Sequence, residues 1–381
     1  MKQASAFAFY LLYYAALAAL GPFIVLYYRQ LGFTGAQIGL LAGMSPLITL
    51  VGAPFWTGIA DATRRHRLVM SLAIVVAVVL ALIFPSLKTL SPVVLLIALY
   101  SFFTAPIVSL SDSATMSMLA SEKAMYGRVR LGGTIGWGLA APVAGMLVQA
   151  YGLKLAFWGY AALMCLALIV SQRFVFSQSA AGTSLQGGIR TLLTNRRWVL
   201  FLAMAFVGGM GLITINNYLF AYMEELKASE TTMGIALTIS TLSELPVLFF
   251  ADRLLKRFKA HGLLVLAMTV TGVRLLLYAA FNFPAGVLVF QVLNGLTFPA
   301  AVVAGVSYAD ENAPAGMSAT AQGLFGAMFM GFGAAAGGFI GGFLLEGIGG
   351  RGMYLVFGVM VLVGIAFITL IERRQLAEQH G

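Results

Sequence analysis

Apolar residues in this chain come in long continuous runs, broken by short polar punctuation and without period-two alternation. Twelve runs can be read, at roughly 5–28, 38–60, 68–85, 92–116, 129–150, 155–172, 198–223, 232–250, 262–281, 286–308, 317–344 and 353–371. Each approximates the roughly 20 apolar residues that carry a helix across a bilayer. A membrane barrel would show alternating strands instead, so a barrel is excluded. The first run reads as a retained span: it is long, carries Tyr10, Tyr13 and Tyr14, and has only Lys2 as a basic flank. Most connections are short. The exception, from about Ser177 to Arg197, is rich in Ser, Gly, Gln and Thr and reads as a central linker.

Composition points the same way. Of 381 residues, 60% are hydrophobic and 9% charged, against roughly 25% charged in soluble domains. Mean hydropathy is +0.94. So few charges cannot cover a soluble enzyme of this length. The single cysteine, Cys165, excludes a disulfide framework and a cysteine-based metal site.

A net charge of +10 would suggest nucleic acid in a soluble chain, but here it sorts by topology. With the N-terminus inside, sixteen of the 23 basic residues fall on the cytoplasmic side and five outside, while Arg130 and Arg274 lie within spans. That asymmetry predicts a multi-pass protein of the inner (cytoplasmic) membrane, with both termini cytoplasmic, lipid around it and no nucleic-acid partner.

The second run ends Ala-Asp61-Ala-Thr-Arg64-Arg65, and the eighth ends Ala-Asp252-Arg253-Leu-Leu-Lys256-Arg257. The two Ala-Asp elements stand 191 residues apart, half the chain, which implies duplication of a six-helix unit. Each carboxylate faces clustered cations, as a gating latch between cytoplasmic loops requires. These features resemble the major facilitator superfamily, whose signature after the second helix is Gly-x-x-x-Asp-Arg-x-Gly-Arg-Arg. Here Thr57, Ala62 and Arg64 replace three of its residues. The resemblance implies an all-α membrane protein of twelve transmembrane helices in two six-helix pseudo-symmetric bundles. Their expected bounds are 1–175 and 198–381, joined by a cytoplasmic linker at 176–197.

Four ionisable groups lie well inside spans: Asp112, Arg130, Glu244 and Arg274. Each costs about 2.5–3.5 kcal/mol at a span centre on insertion scales, so two acids and two bases suggest two pairs. Static ion pairs between helices are one reading. A buried pair is often no more stable than apolar residues of the same volume, and keeping four such groups in so apolar a chain favours function. Trp137 lies two turns beyond Arg130 on the same helix face. A forked donor, a carboxylate and an indole face suit a sugar or another polyhydroxylated ring. Tyr14 and Asn217 flank them as further candidate solute contacts.

The segment Tyr126-Gly-Arg128-Val-Arg130-Leu-Gly-Gly-Thr-Ile-Gly136-Trp137, eighteen residues from Asp112 to Arg130, resembles the lactose permease and phenylpropionate permease branch of that superfamily. The resemblance implies proton symport of a small organic solute, either a sugar or glycoside or an aromatic acid. It matches Asp112, Arg130 and Trp137 to the branch's solute-binding acid, arginine and tryptophan, and Glu244 and Arg274 to its acidic eighth helix and the arginine of its ninth. Where the branch has a His and a proton-accepting Glu on the tenth helix, this chain has Asn294 and Thr297, which cannot titrate near neutral pH. Glu244 is then the best proton-coupling group, with Arg274 beside it.

The expected mechanism is alternating access, with solute and proton bound near the midplane of the halves. Gly331, Gly333, Gly337, Gly338, Gly341 and Gly342 would let the eleventh helix approach its neighbours closely. A proton-driven exporter is the alternative, although Ala141-Pro142-Val-Ala144-Gly145 only partly matches the Gly-Pro-x-x-Gly-Gly element of exporters. An enzyme is not expected: His66, His261 and His380 sit in loops or the tail without a nucleophile–base or metal-ligand arrangement. No cofactor or metal is expected, ATP-driven pumping lacks its Gly-rich loop, and the carrier is expected to act as a monomer.

Overall fold

The computed structural model describes residues 2–119, 125–176, 192, 194–313 and 317–380, without the side chains of Lys2, Ala319 and 375–380. The spans are α1 (Gln3–Gln30), α2 (Gly35–Thr63), α3 (His66–Ser86), α4 (Leu90–Leu119), α5 (Tyr126–Tyr151) and α6 (Lys154–Ser171). They continue as α7 (Arg196–Glu225), α8 (Glu230–Phe249), α9 (Ala251–Ala280) and α10 (Pro284–Glu311). The last two predicted runs form one hydrogen-bonded stretch, Thr320–Arg374, long enough to cross a membrane twice. Gly349, at φ 70° and ψ 173°, breaks it, a conformation that costs glycine little. The two sides are α11 (residues 320–348) and α12 (residues 350–374).

Lys259, at φ 55°, breaks α9 in the same manner. The predicted span at 262–281 is the part of α9 beyond that break, while Arg253, Lys256 and Arg257 ride on the short segment before it.

Two compact units divide the chain: Met1–Ala181 with Lys227–Thr238, and Gly182–Leu226 with Ile239–Gly381. The expected halves differ from these at the start of α8, which groups with the first unit. The reason is its fit to α5. The Thr231 hydroxyl donates to Gln149 Oε1 at 2.5 Å and the Thr238 hydroxyl to the Gly138 carbonyl at 3.0 Å. Gly145 and Gly234 leave room there for the facing backbones of Glu230 and Ala141. Most of the expected linker, residues 177–191 and 193, lies outside the described residues, as do the side chains of Lys2 and His380.

The two units repeat the same helix roles. The most buried spans are α1 and α7, at 67% each, and the least buried are α2 and α8, at 28% each. Close packing of α1 on α5 depends on Gly132 and Gly136, which set the α5 backbone against the carbonyls of Phe7 and Leu11. In the second unit Gly333, Gly337 and Gly341 set α11 against Phe206, Met210 and Tyr218 of α7. A β-carbon at Gly337 would stand 2.5 Å from the Met210 carbonyl oxygen. Small residues at this spacing let two helix backbones meet. The Tyr218 hydroxyl then donates to the Gly338 carbonyl at 2.5 Å.

Both α4 and α10 are interrupted ahead of a proline, which supplies no backbone donor. α4 runs as Leu90–Thr104 and Pro106–Leu119. α10 runs as Pro284–Phe290, a 3₁₀ turn Gln291–Leu296, and Phe298–Glu311 with Pro299 in its first turn. These interruptions hold the polar side chains that matter next.

Candidate functional site

In the first unit α1, α4 and α5 bring Tyr10, Tyr14, Asp112 and Arg130 together. The buried Tyr10 hydroxyl donates to Asp112 Oδ1 at 2.5 Å. Arg130 Nη2 donates to the Tyr14 hydroxyl. Its guanidinium carbon lies 4.2 Å from the Tyr14 ring centroid and 5.0 Å from that of Tyr10, within cation–π range. Gly133, one turn beyond Arg130, makes this possible: a β-carbon there would press 2.5 Å from Arg130 Nη1 and 2.9 Å from the Tyr14 ring.

The expected ion pair between Asp112 and Arg130 is not formed among the described residues. Tyrosines stand between acid and base, so each keeps hydrogen-bonding capacity for a third group. Trp137 is half-buried two turns along α5. Tyr10 and Gly133 were not singled out by the sequence reading. The three tyrosines of the first span were visible, but their one-turn spacing toward Asp112 was not.

In the second unit the arrangement rests on α8, α9 and α10. Arg274 is 1% exposed, and burying a guanidinium is tolerable only if its N–H groups are satisfied. Its Nε donates to the Tyr278 hydroxyl at 2.8 Å, and Nη1 to Asn294 Oδ1 at 2.7 Å and Thr297 Oγ at 3.3 Å. Nη2 donates to Gln291 Oε1. A 3₁₀ helix has three residues per turn, so Gln291, Asn294 and Thr297 stack along one edge and present their acceptors together. An α-helix would have fanned them apart.

Glu244 does not touch Arg274. Asn294 bridges them, its Nδ2 donating to Glu244 Oε1 at 2.7 Å while its Oδ1 accepts from Arg274. The neighbouring Ser243 fixes the register of α8 on this turn, its hydroxyl accepting from the Gly295 N–H at 3.0 Å. The expected direct pair is thus corrected to an acid and a base one amide apart. Tyr278 and Gln291 are further members that the sequence reading did not assign. The signal for Gln291 was the Gln-x-x-Asn-x-x-Thr spacing, legible only if the helix is known to be 3₁₀. Asn217 is half-buried on α7, and no hydrogen bond joins it to this cluster among the described residues.

Asp61, 73% exposed, takes its hydrogen bond from His66 of its own turn at 2.7 Å. His66 in turn stacks on Phe176, with centroids 5.2 Å apart, and Arg67 donates to the Phe174 carbonyl at 2.9 Å. The α2–α3 turn is therefore tied to the end of α6 by aromatic and backbone contacts. Asp252 is exposed in the first turn of α9, where a negative charge suits the helix dipole.

A groove of about 630 Å³ runs along α1, α5 and α6, lined by Leu11, Ala15, Leu139, Val143 and Leu155 among others. Its one polar side chain is Tyr151, so it offers little to orient a hydrophilic solute. No group of His, Cys, Asp and Glu among the described residues is arranged to hold a metal ion.

Residues 5–356 match the model of the MFS_1-like family. The chain belongs to that family. Among similar proteins, the maltose permease of Geobacillus stearothermophilus is 29% identical over 96% of this chain and 94% of its own length. The uncharacterized transporter YwbF of Bacillus subtilis is 25% identical over 98% of this chain and 94% of its own length. The crystal structure of the nucleoside transporter NupG superposes with a TM-score of 0.83 at 19% identity, covering 97% of both chains. The last comparison shows the fold. As a member of this family of membrane transporters, the chain moves a small molecule and is not an enzyme.

Proposed function

We propose that this family member is a proton-coupled symporter of a small polyhydroxylated solute, a sugar or glycoside. Glu244 carries the proton, and Asp112 and Arg130 hold the solute with Tyr14 and Trp137. The observation that carries the reading is the setting of Glu244. Its hydrogen bond comes from a neutral amide at 2.7 Å, so it can take up and release a proton without breaking an ion pair. The cluster around Arg130 supports the solute side, with an acid and a base held apart for hydroxyls. The likeness to a protein named maltose permease supports the sugar class. The Tyr126–Trp137 string supports a place beside the lactose permease and phenylpropionate permease branch. The carrier is further proposed to work as a monomer in the inner membrane, with both termini cytoplasmic, by alternating access.

The test is purified protein in sealed proteoliposomes, with labelled maltose, an aromatic carboxylate and a nucleoside offered in parallel. Maltose should accumulate under an inward proton gradient, and its addition without a gradient should draw protons in. Accumulation of another solute would replace the sugar class. Uptake of any of them without proton movement would remove the coupling.

A further inference from the structure

The hydrogen bonds around Asn294 constrain one another. Arg274 carries donors only, so Asn294 must turn its Oδ1 toward Nη1, and its Nδ2 is left facing Glu244 at 2.7 Å. The Glu244 oxygen in that bond must act as an acceptor. An ionised carboxylate meets this requirement and forms a charge-assisted bond, roughly twice as strong as a neutral one. A protonated Glu244 gives up that advantage and acquires an O–H that needs an acceptor of its own.

Among the described residues, the neighbours of Glu244 are these. Asn294 is the side chain that hydrogen-bonds Glu244, and Arg274 of α9 is the charge whose field reaches it; on α9 Tyr278 is the other titratable group of the cluster. From α10 come only Gln291, Asn294 and Thr297, none of which titrates. If the Asn294 amide turns over, Oδ1 accepts the new O–H of Glu244. Nη1 of Arg274 then loses its shorter bond but keeps Thr297 Oγ at 3.3 Å, while Nε and Nη2 stay with Tyr278 and Gln291. Nδ2 would then face Nη1, donor against donor, so the amide must swing clear of Arg274 as it turns, leaving Nη1 open to another acceptor.

We propose that the side chain of Asn294 is a positioning switch that turns over when Glu244 takes a proton, and so hands one N–H of Arg274 to an incoming hydroxyl or carboxylate oxygen. The bookkeeping is one proton taken from water by the Glu244 carboxylate, one hydrogen bond reversed and one donor released, with no covalent change. This rests on the reading of Glu244 as the proton carrier. It adds that the amide transmits protonation by rotating.

The experiment needs no solute. Purified protein in lipid is moved between mildly alkaline and mildly acid pH while infrared difference spectra are recorded, with asparagine carrying isotope in its side-chain amide. The wild type should show a protonated-carboxyl stretch rising together with a shift in the labelled amide carbonyl band. Glu244→Gln should lose both signals. Asn294→Ser, which removes the amide, should keep the carboxyl signal and lose the amide one. A carboxyl signal that titrates while the labelled amide stays silent means the proton sits on the far oxygen, and it overturns the switch alone. Absence of any Glu244-dependent carboxyl signal overturns the switch and the underlying reading together. If the serine variant does not fold, Asn294→Gln, which carries no label at this position, assigns the band among the six asparagines.

Discussion

The Tyr10 hydroxyl holds Asp112 at 2.5 Å, and the same tyrosine ring lies 5.0 Å from the Arg130 guanidinium carbon. One side chain therefore serves the acid through its edge and the base through its face. Tyr10→Phe should keep the ring and remove the hydroxyl, with its bond to the carboxylate and the longer one it accepts from Thr115. Hydrogen bonds to charged groups contribute about 1.5–3 kcal/mol. Freed from Tyr10, Asp112 should be drawn to Arg130, and solute affinity should fall about tenfold, equivalent to ~1.4 kcal/mol. Equilibrium binding of labelled maltose to detergent-purified protein checks this; unchanged affinity would show that Asp112 needs no such restraint.

Arg130→Lys should cost more. An ammonium is a compact point charge and cannot lie across two rings while also offering a fork of donors. Affinity should fall by about a hundredfold, near 2.7 kcal/mol, with the protein still folded. Near-normal affinity in both Arg130→Lys and Asp112→Ala would remove these residues from the solute site.

Glu244→Gln should mimic a permanently protonated carrier. Counterflow of labelled solute across a membrane should persist, while accumulation driven by a proton gradient should disappear. Paired measurements in proteoliposomes make the comparison. Accumulation at the wild-type level would shift the coupling to another group, with Asp112 next in order.

The spans were legible in the sequence because a bilayer demands continuous apolar runs, and the break at Gly349 fell between two of the predicted runs. Asp112, Arg130, Glu244 and Arg274 were legible because charge inside an apolar span is rare. Their partners were not. Tyr10 looked like any aromatic of a buried helix, and Gln291 became a neighbour of Asn294 and Thr297 only through a 3₁₀ turn that apolar periodicity cannot reveal. Expecting ion pairs was also natural, since opposite charges in a low dielectric attract. The fold instead satisfied Arg274 with neutral oxygens from four side chains.

The glycine seams predict an asymmetric response to added bulk. Gly136→Leu and Gly337→Leu would drive side chains into the backbones of α1 and α7 and should destabilise by about 1–3 kcal/mol or more. Gly58, on α2, faces open space, with nothing within 4 Å of the position a β-carbon would take. Gly58→Ala should therefore be neutral, or stabilising by up to about 1 kcal/mol through helix propensity. Thermal unfolding in detergent, followed by intrinsic fluorescence, separates the two classes.

Orientation can be tested from the single cysteine. Cys165→Ser gives a cysteine-free background, and one new cysteine is then placed at Gly381 or at Lys154. In intact cells a membrane-impermeant thiol reagent should label the Lys154→Cys variant and spare Gly381→Cys. The opposite pattern would reverse the proposed topology.

The seam between α7 and α11 has a mechanical meaning. Where Gly333 and Gly337 bring backbone onto backbone, there are no side chains to change rotamer, so the two helices meet there without slack. Within α10, compliance is concentrated in the stretch whose turns are wound to a different pitch, Gln291–Leu296. Bending at that stretch would carry Gln291, Asn294 and Thr297 as a set, and with them three of the four side chains that solvate Arg274. For this helix, flexing and exposing a charge are therefore the same movement, and whatever neutralises the charge also sets how far the helix can flex.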